Sequence, residues 1–139
     1  MKAAISLLSV SALVACAAEP APLVTVNEAR AFAFPASASV YFTLANSGGR
    51  DRLLSVTADK VGQASLHETS MDGDIMRMRP IADGIEVPAG GRVALSASGR
   101  HVMIQNLARP LPDGSSIRLT LRFERQGLVE ISAPVGRPR

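Results

Sequence analysis

Beyond position 16 the chain has no cysteine, it has no tryptophan at all, and it carries one tyrosine and two lysines in 139 residues. Without a thiol the folded part can form no disulfide and offers no thiolate to a metal. The thirteen arginines and the formal charge of +3 could suggest a nucleic-acid surface. But the arginines are spread along the chain between apolar residues, and stacking aromatics are scarce, so they read as a solvated strand face and nucleic acid is not expected as a partner. Helical periodicity is almost missing after the first residues, which leaves an all-β architecture.

The first residues look different from the rest. Lys2 precedes a twelve-residue apolar run from Ala3 to Val14, interrupted only by serines. The run is too short to span a bilayer and has the layout of an export signal. The junction Leu13-Val14-Ala15-Cys16 resembles a bacterial lipobox, so residues 1–15 are expected to be removed and Cys16 to become the lipidated first mature residue. Ordinary cleavage after Ala17 is the alternative. Residues 16–21 read as a short extended tether. Residues 22–134 then form one β domain, large enough for a packed core without covalent staples, and residues 135–139 form a short tail.

Alternation marks the strands. In Ser116 to Arg125, Ile117, Leu119, Leu121 and Phe123 fall on one face and Arg118, Thr120, Arg122 and Glu124 on the other. In SVYFTLAN, Val40, Phe42 and Leu44 do the same. Further strands are expected at Leu53 to Val56, Ala64 to Glu68, Ile75 to Met78, Ile85 to Val87, Val93 to Leu95, Val102 to Leu107 and Leu128 to Ala133. Turn signals separate them, among them SGG at 47–49, DG at 72–73 and 83–84, PAGG at 88–91 and PDG at 112–114. Many short strands at this spacing predict an antiparallel sandwich or Greek-key barrel.

Both histidines and four of the five methionines lie in that domain, gathered in LHETSMDGDIMRM (66–78) and HVM (101–103). With Asp72-Gly73 as a two-residue hairpin loop, Met71 pairs with Asp74, Thr69 with Met76 and His67 with Met78; a longer loop would slip this register. Val102 and Ile104 suit the core, so His101 and Met103 point together to the opposite face, as His67 does beside Leu66. The candidate set is His67, Met78, His101 and Met103. Two imidazoles and two thioethers, with no carboxylate, are poor for Mg, Ca or Mn. They are also unusual for zinc, whereas thioethers favour Cu(I). Methionine is commonly core filler, and Met71 and Met76 taken singly read that way: Met76 packed under the hairpin, Met71 at its turn.

The chain resembles the periplasmic copper chaperones PCu(A)C. Their motif is a histidine, ten residues, a methionine, about twenty-one residues, then His-x-Met. Here His67 is followed by ten residues, Met78, twenty-two residues and His101-Val102-Met103. The likeness extends to YFTLAN, DRLLSV, MDGDIMRMRP, IEVPAGG, HVMIQNLARPL and LTLRF. The extra residue is placed in the turn Ile81 to Gly84, where it leaves the ligand strands undisturbed. Some relatives carry a His- and Met-rich C-terminal tail. This sequence ends in VGRPR, so a second copper site of that kind is not expected.

The resemblance implies a cupredoxin-like fold and a monomer that binds one Cu(I). It implies delivery to a copper acceptor such as the CuA centre in subunit II of cytochrome c oxidase, often alongside a thiol-bearing assembly factor. Storage or tolerance without a dedicated acceptor is the alternative. A blue-copper electron carrier would need a cysteine ligand that the domain lacks. Ser65, Ser70 and Glu68 lie near His67, but nothing positions an oxyanion hole, and no enzyme is expected. The place implied is the periplasm, on a lipid anchor; Ala17 after Cys16 leans to the outer membrane.

Overall fold

The computed structural model describes residues 18–137. The export signal (1–15), Cys16 and residues 138–139 lie outside the described residues, so the expectations placed on them rest on sequence alone. There are ten strands: β1 Val24–Ala33, β2 Ser37–Asn46, β3 Asp51–Thr57, β4 Gln63–Asp72, β5 Ile75–Pro80, β6 Ile85–Val87, β7 Arg92–Ala94, β8 Arg100–Gln105, β9 Ser116–Phe123 and β10 Gly127–Gly136.

They pair in the order β5-β4-β8-β2-β1-β10-β9-β3-β6, and β7 adds to β2. One layer holds β5, β4, β8, β2 and β1, the other β10, β9, β3 and β6, and a short parallel pairing of Ala31 with Val135 and Phe32 with Gly136 joins them. The alternation seen in sequence becomes the core: Val40, Phe42, Leu44, Leu66, Val102 and Ile104 face Leu53, Ile85, Ile117, Leu119 and Leu121, all nearly inaccessible. Burying each such side chain contributes roughly 1.5–3 kcal/mol, and together they hold the two layers face to face.

The first strand was not among those expected. Its sequence, VTVNEARAFA, loses its two-residue period at a bulge between Asn27 and Arg30, where Glu28 takes φ 55°. A bulge reverses which face later residues occupy, so simple alternation fails there. Other strands match the expectation within a few residues. β8 begins two residues early, so that His101 lies inside the ladder, and β10 runs to Gly136, past the expected domain end at 134.

Two buried polar side chains tie loops to this frame. Asn46 Oδ1 accepts from the Leu23 and Gly48 amides, and its Nδ2 donates to the Gly49 carbonyl at 2.8 Å. The Asp51 carboxylate accepts from the amides of Arg52, Arg125 and Gln126 at 2.8–2.9 Å and so caps the β9–β10 turn. Within the segment expected as a short extended tether, residues 19–21 contact the domain: Gly49 N donates to Ala21 O, and Glu19 pairs with Arg50 at 2.9 Å.

Candidate metal centre

The layer made by β5, β4, β8 and β2 has a second face, away from the core. On β4 the residues Ser65, His67, Thr69 and Met71 alternate onto it, and on β8 His101 and Met103 do, because Leu66, Val102 and Ile104 occupy the core side. The register places His67 directly opposite His101 and Ser65 opposite Met103. The two imidazoles stack with ring centroids 6.2 Å apart and planes 23° from parallel. Both histidines therefore do lie on the non-core face.

The hairpin register differs from the expected one. The loop is Gly73-Asp74, with Gly73 at φ 62°, and His67 lies opposite Pro80 while Met78 lies opposite Thr69. The loop has moved by one residue, which slides the partner strand by two and keeps every side chain on its face. Glycine suits the left-handed conformation needed at the first loop position, which Asp72 would have to adopt in the other register.

Consequently the four candidate residues do not form one tight square. His67, His101 and Met103 sit together. Met78 is a diagonal neighbour of His67, but two strands and four residues from Met103, roughly 16 Å between Cα atoms on ladder spacings. It is about half exposed and belongs to an arm, residues 70 to 80, in which every residue is exposed.

His101 is 1% exposed although it faces away from the core. Tyr41 flanks its ring at 6.2 Å opposite His67, and Phe32 lies 5.7 Å beyond Tyr41, so a row of rings crosses β1, β2, β8 and β4. Tyr41 is a site residue that the motif does not mark. Its signal was available, since the residues either side of it, Val40 and Phe42, go inward and leave it on the histidine face.

Each imidazole uses its Nδ1 on a protein group. His101 Nδ1 lies 3.2 Å from the Gly99 carbonyl, which can only accept, so in the neutral ring Nδ1 carries the proton and Nε2 keeps its lone pair. His67 Nδ1 lies 3.3 Å from Ser65 Oγ. Burial and the neighbouring His101 push the His67 pKa below its ordinary value, against an opposing hydrogen bond to the Ser65 backbone, and so favour the neutral ring a metal needs. The Ser39 hydroxyl is 4.0 Å from Met103 Sδ. Thr69 Oγ1, opposite Met78, is buried without a hydrogen-bond partner among the described residues. No three His, Cys, Asp or Glu side chains cluster among those residues, so the nitrogen–sulfur set is not supplemented by hard ligands. The donors present fit a soft monovalent ion.

The model of the LpqE-like family, described as "Putative lipoprotein LpqE-like", matches residues 24–135. The chain belongs to this family. The lipoprotein-named Lxx21020 of Leifsonia xyli subsp. xyli is 31% identical over 91 residues, covering 65% of this chain and 55% of its own length. The chain thus spans about half the length of the curated relatives it matches. Among solved structures, the copper-bound PCuAC domain of PmoF2 superposes with a TM-score of 0.67 at 25% identity, covering 83% of this chain and 93% of that domain. DR1885 of Deinococcus radiodurans in its Cu(I) form gives 0.63 at 27% identity, over 84% and 80% of the two chains. The chain has the all-β, cupredoxin-like fold of PCuAC domains.

Proposed function

We propose that this protein is an exported copper chaperone that binds one Cu(I) through His67, His101 and Met103, with Met78 closing from the hairpin arm. One observation carries the reading: two opposed imidazoles, each with Nδ1 engaged and Nε2 free, stand beside a thioether on a face that holds no carboxylate. Neutral nitrogen and thioether donors hold Cu(I) without the grip of thiolates, so ligand exchange can release it. The copper-bound state of structurally similar domains supports the same ion. The recipient is a periplasmic copper acceptor, with the CuA centre of cytochrome c oxidase the leading candidate and a thiol-bearing assembly factor as partner. The domain acts as a monomer. Lipidation of Cys16 anchors it to a membrane, the outer one favoured. The short contact between Ser65 and His67 does not make a hydrolytic site, since Glu68 alternates to the other face and supplies no carboxylate to the pair.

The deciding experiment is an anaerobic titration of residues 18–139 against a chromophoric Cu(I) chelator, beside the H101A/M103A variant. One tightly held Cu(I), lost in the variant, is expected. A wild type that takes no copper from the chelator would sink the assignment.

A further inference from the structure

Of the eight exposed large apolar side chains among the described residues, four (Met71, Ile75, Met76 and Met78) lie on the hairpin arm. Methionine used as filler is covered by neighbours, but Met71, Met76 and Met78 are 61%, 66% and 48% exposed. The expectation that Met76 packs under the hairpin is thus corrected: past Thr69 the arm leaves the sheet, and there is no core beneath it.

The register arranges the three thioethers on one side. Met71 lies directly opposite Met76, and Met78 follows two positions along the same strand. Pro80 has no N–H, so its pairing with His67 is of the kind without ladder hydrogen bonds. Thr69 N indeed turns away from β5 to donate to Gly99 O. Counting back by twos, Met71 and Met76 form the same kind of pair, in which side chains stand closest. Their Cβ atoms are then about 4.5–5.5 Å apart, with Met78 a diagonal neighbour at about 7–8 Å. Long, unbranched side chains can bring three sulfurs onto one ion across such spacings.

The two faces of the arm are sorted by chemistry. Glu68, Asp72, Arg77 and Arg79 alternate onto the other side, where Asp72 and Arg77 pair at 3.3 Å. The sulfur side carries no charge. A docking surface built only for burial would be served by leucine or phenylalanine; what methionine adds is a soft donor.

We infer that Met71, Met76 and Met78 form a second, weaker Cu(I) site at the exposed end of the arm, continuous with the inner set through Met78. This deepens the chaperone reading above and rests on it for the identity of the ion. Met78 stands between the two donor groups, diagonal to His67 on one side and to Met71 on the other. Exchange of one Cu–S bond for another at Met78 can therefore pass an ion between them, with copper remaining Cu(I) throughout.

The test is a Cu(I) titration, repeated with redox-inert Ag(I), of the protein labelled with [methyl-13C]methionine. The first equivalent is expected to move the Met103 methyl. Further equivalents are expected to move Met71 and Met76, with release at least ~10-fold easier because an imidazole-free set is the weaker one. The variants are read by the number of equivalents held against a chelator. M71L/M76L, which keeps the apolar surface, should keep the first equivalent with its Met103 shift and hold no second. H101A/M103A should lose the tighter equivalent while its Met71 and Met76 methyls still move. Met71 and Met76 methyls unmoved at several equivalents would overturn the inference and leave the arm as an apolar protein-docking surface. A silent Met103 with responsive tip methyls would instead remove the inner site while leaving the outer one standing.

Discussion

His67 and His101 occupy directly opposed positions on β4 and β8, with their rings 6.2 Å apart and nearly parallel. A sheet register, rather than a loop, fixes the spacing of the two imidazoles, so on the proposed reading little ordering is needed for them to take an ion. Replacing either by alanine should weaken Cu(I) binding by more than the roughly 10–100-fold that loss of an outer-sphere partner costs at metal sites. Chelator competition on H67A and H101A would measure this. Two affinities within threefold of wild type would show that the pair is only a buried stack.

Tyr41 covers one side of His101 and is expected to act through it. Tyr41→Ala should open the ring to water and lower Cu(I) affinity about 10-fold, the low end of the outer-sphere range, while Tyr41→Phe keeps the cover and the affinity. Hydrogen exchange at the His101 amide, read beside the titration, separates loss of cover from global unfolding.

The pH dependence of the metal-free protein follows from His67. Its pKa is depressed by burial and by the adjacent His101, so the folded state holds the neutral ring down to a lower pH than the unfolded chain does. As pH falls below the ordinary histidine value of 6.5, the unfolded state takes up the proton first and stability declines; the loss is complete once pH is below the folded pKa. Above 6.5 this group adds no slope. Histidine NMR titration should find His67 below 6.5, and urea midpoints should fall on acidification through that window. H101A should raise the His67 pKa, because it removes the neighbouring charge.

Much of this was readable in the sequence, for physical reasons. Alternation reports a sheet buried on one side, and it placed Leu66, Val102 and Ile104 inward and both histidines outward. It failed where the backbone breaks its own period: the bulge at Glu28 hid β1, and the choice of glycine's place in the 72–74 turn moved Met78 away from His67. Neither follows from residue type alone, because a two-residue slip keeps every face unchanged. Alternation put Tyr41 on the outer face of β2, but not beside His101. Burial on the far face depends on which strand lies beside which, and β2 and β8 are more than fifty residues apart in the chain.

Asp51 supports the frame at a distance from the sulfurs. Its buried carboxylate accepts three amide hydrogens, two of them from the β9–β10 turn. Asp51→Ala would leave those donors without partners, at a cost of about 3 kcal/mol, taking hydrogen bonds to a charged group at 1.5–3 kcal/mol each with partial rescue by water. A urea midpoint shift would show it, with Cu(I) affinity per folded molecule unchanged.

On the proposed reading, Met103 is expected to set which ion the inner group prefers. Among the described residues it is the one sulfur on β8, two positions from His101, with Ser39 against its Sδ atom. Met103→His would convert two imidazoles and a soft thioether into three imidazoles, a donor set that suits Zn(II) and Cu(II). The variant is expected to lose Cu(I) in chelator competition and to gain a Zn(II) or Cu(II) site that the wild type lacks. Met103→Leu, which keeps the shape, should lose Cu(I) and gain nothing. Retention of Cu(I) by both variants would mean that Met78 and the histidines suffice, and that the arm closes onto the rings without help from the Met103 sulfur.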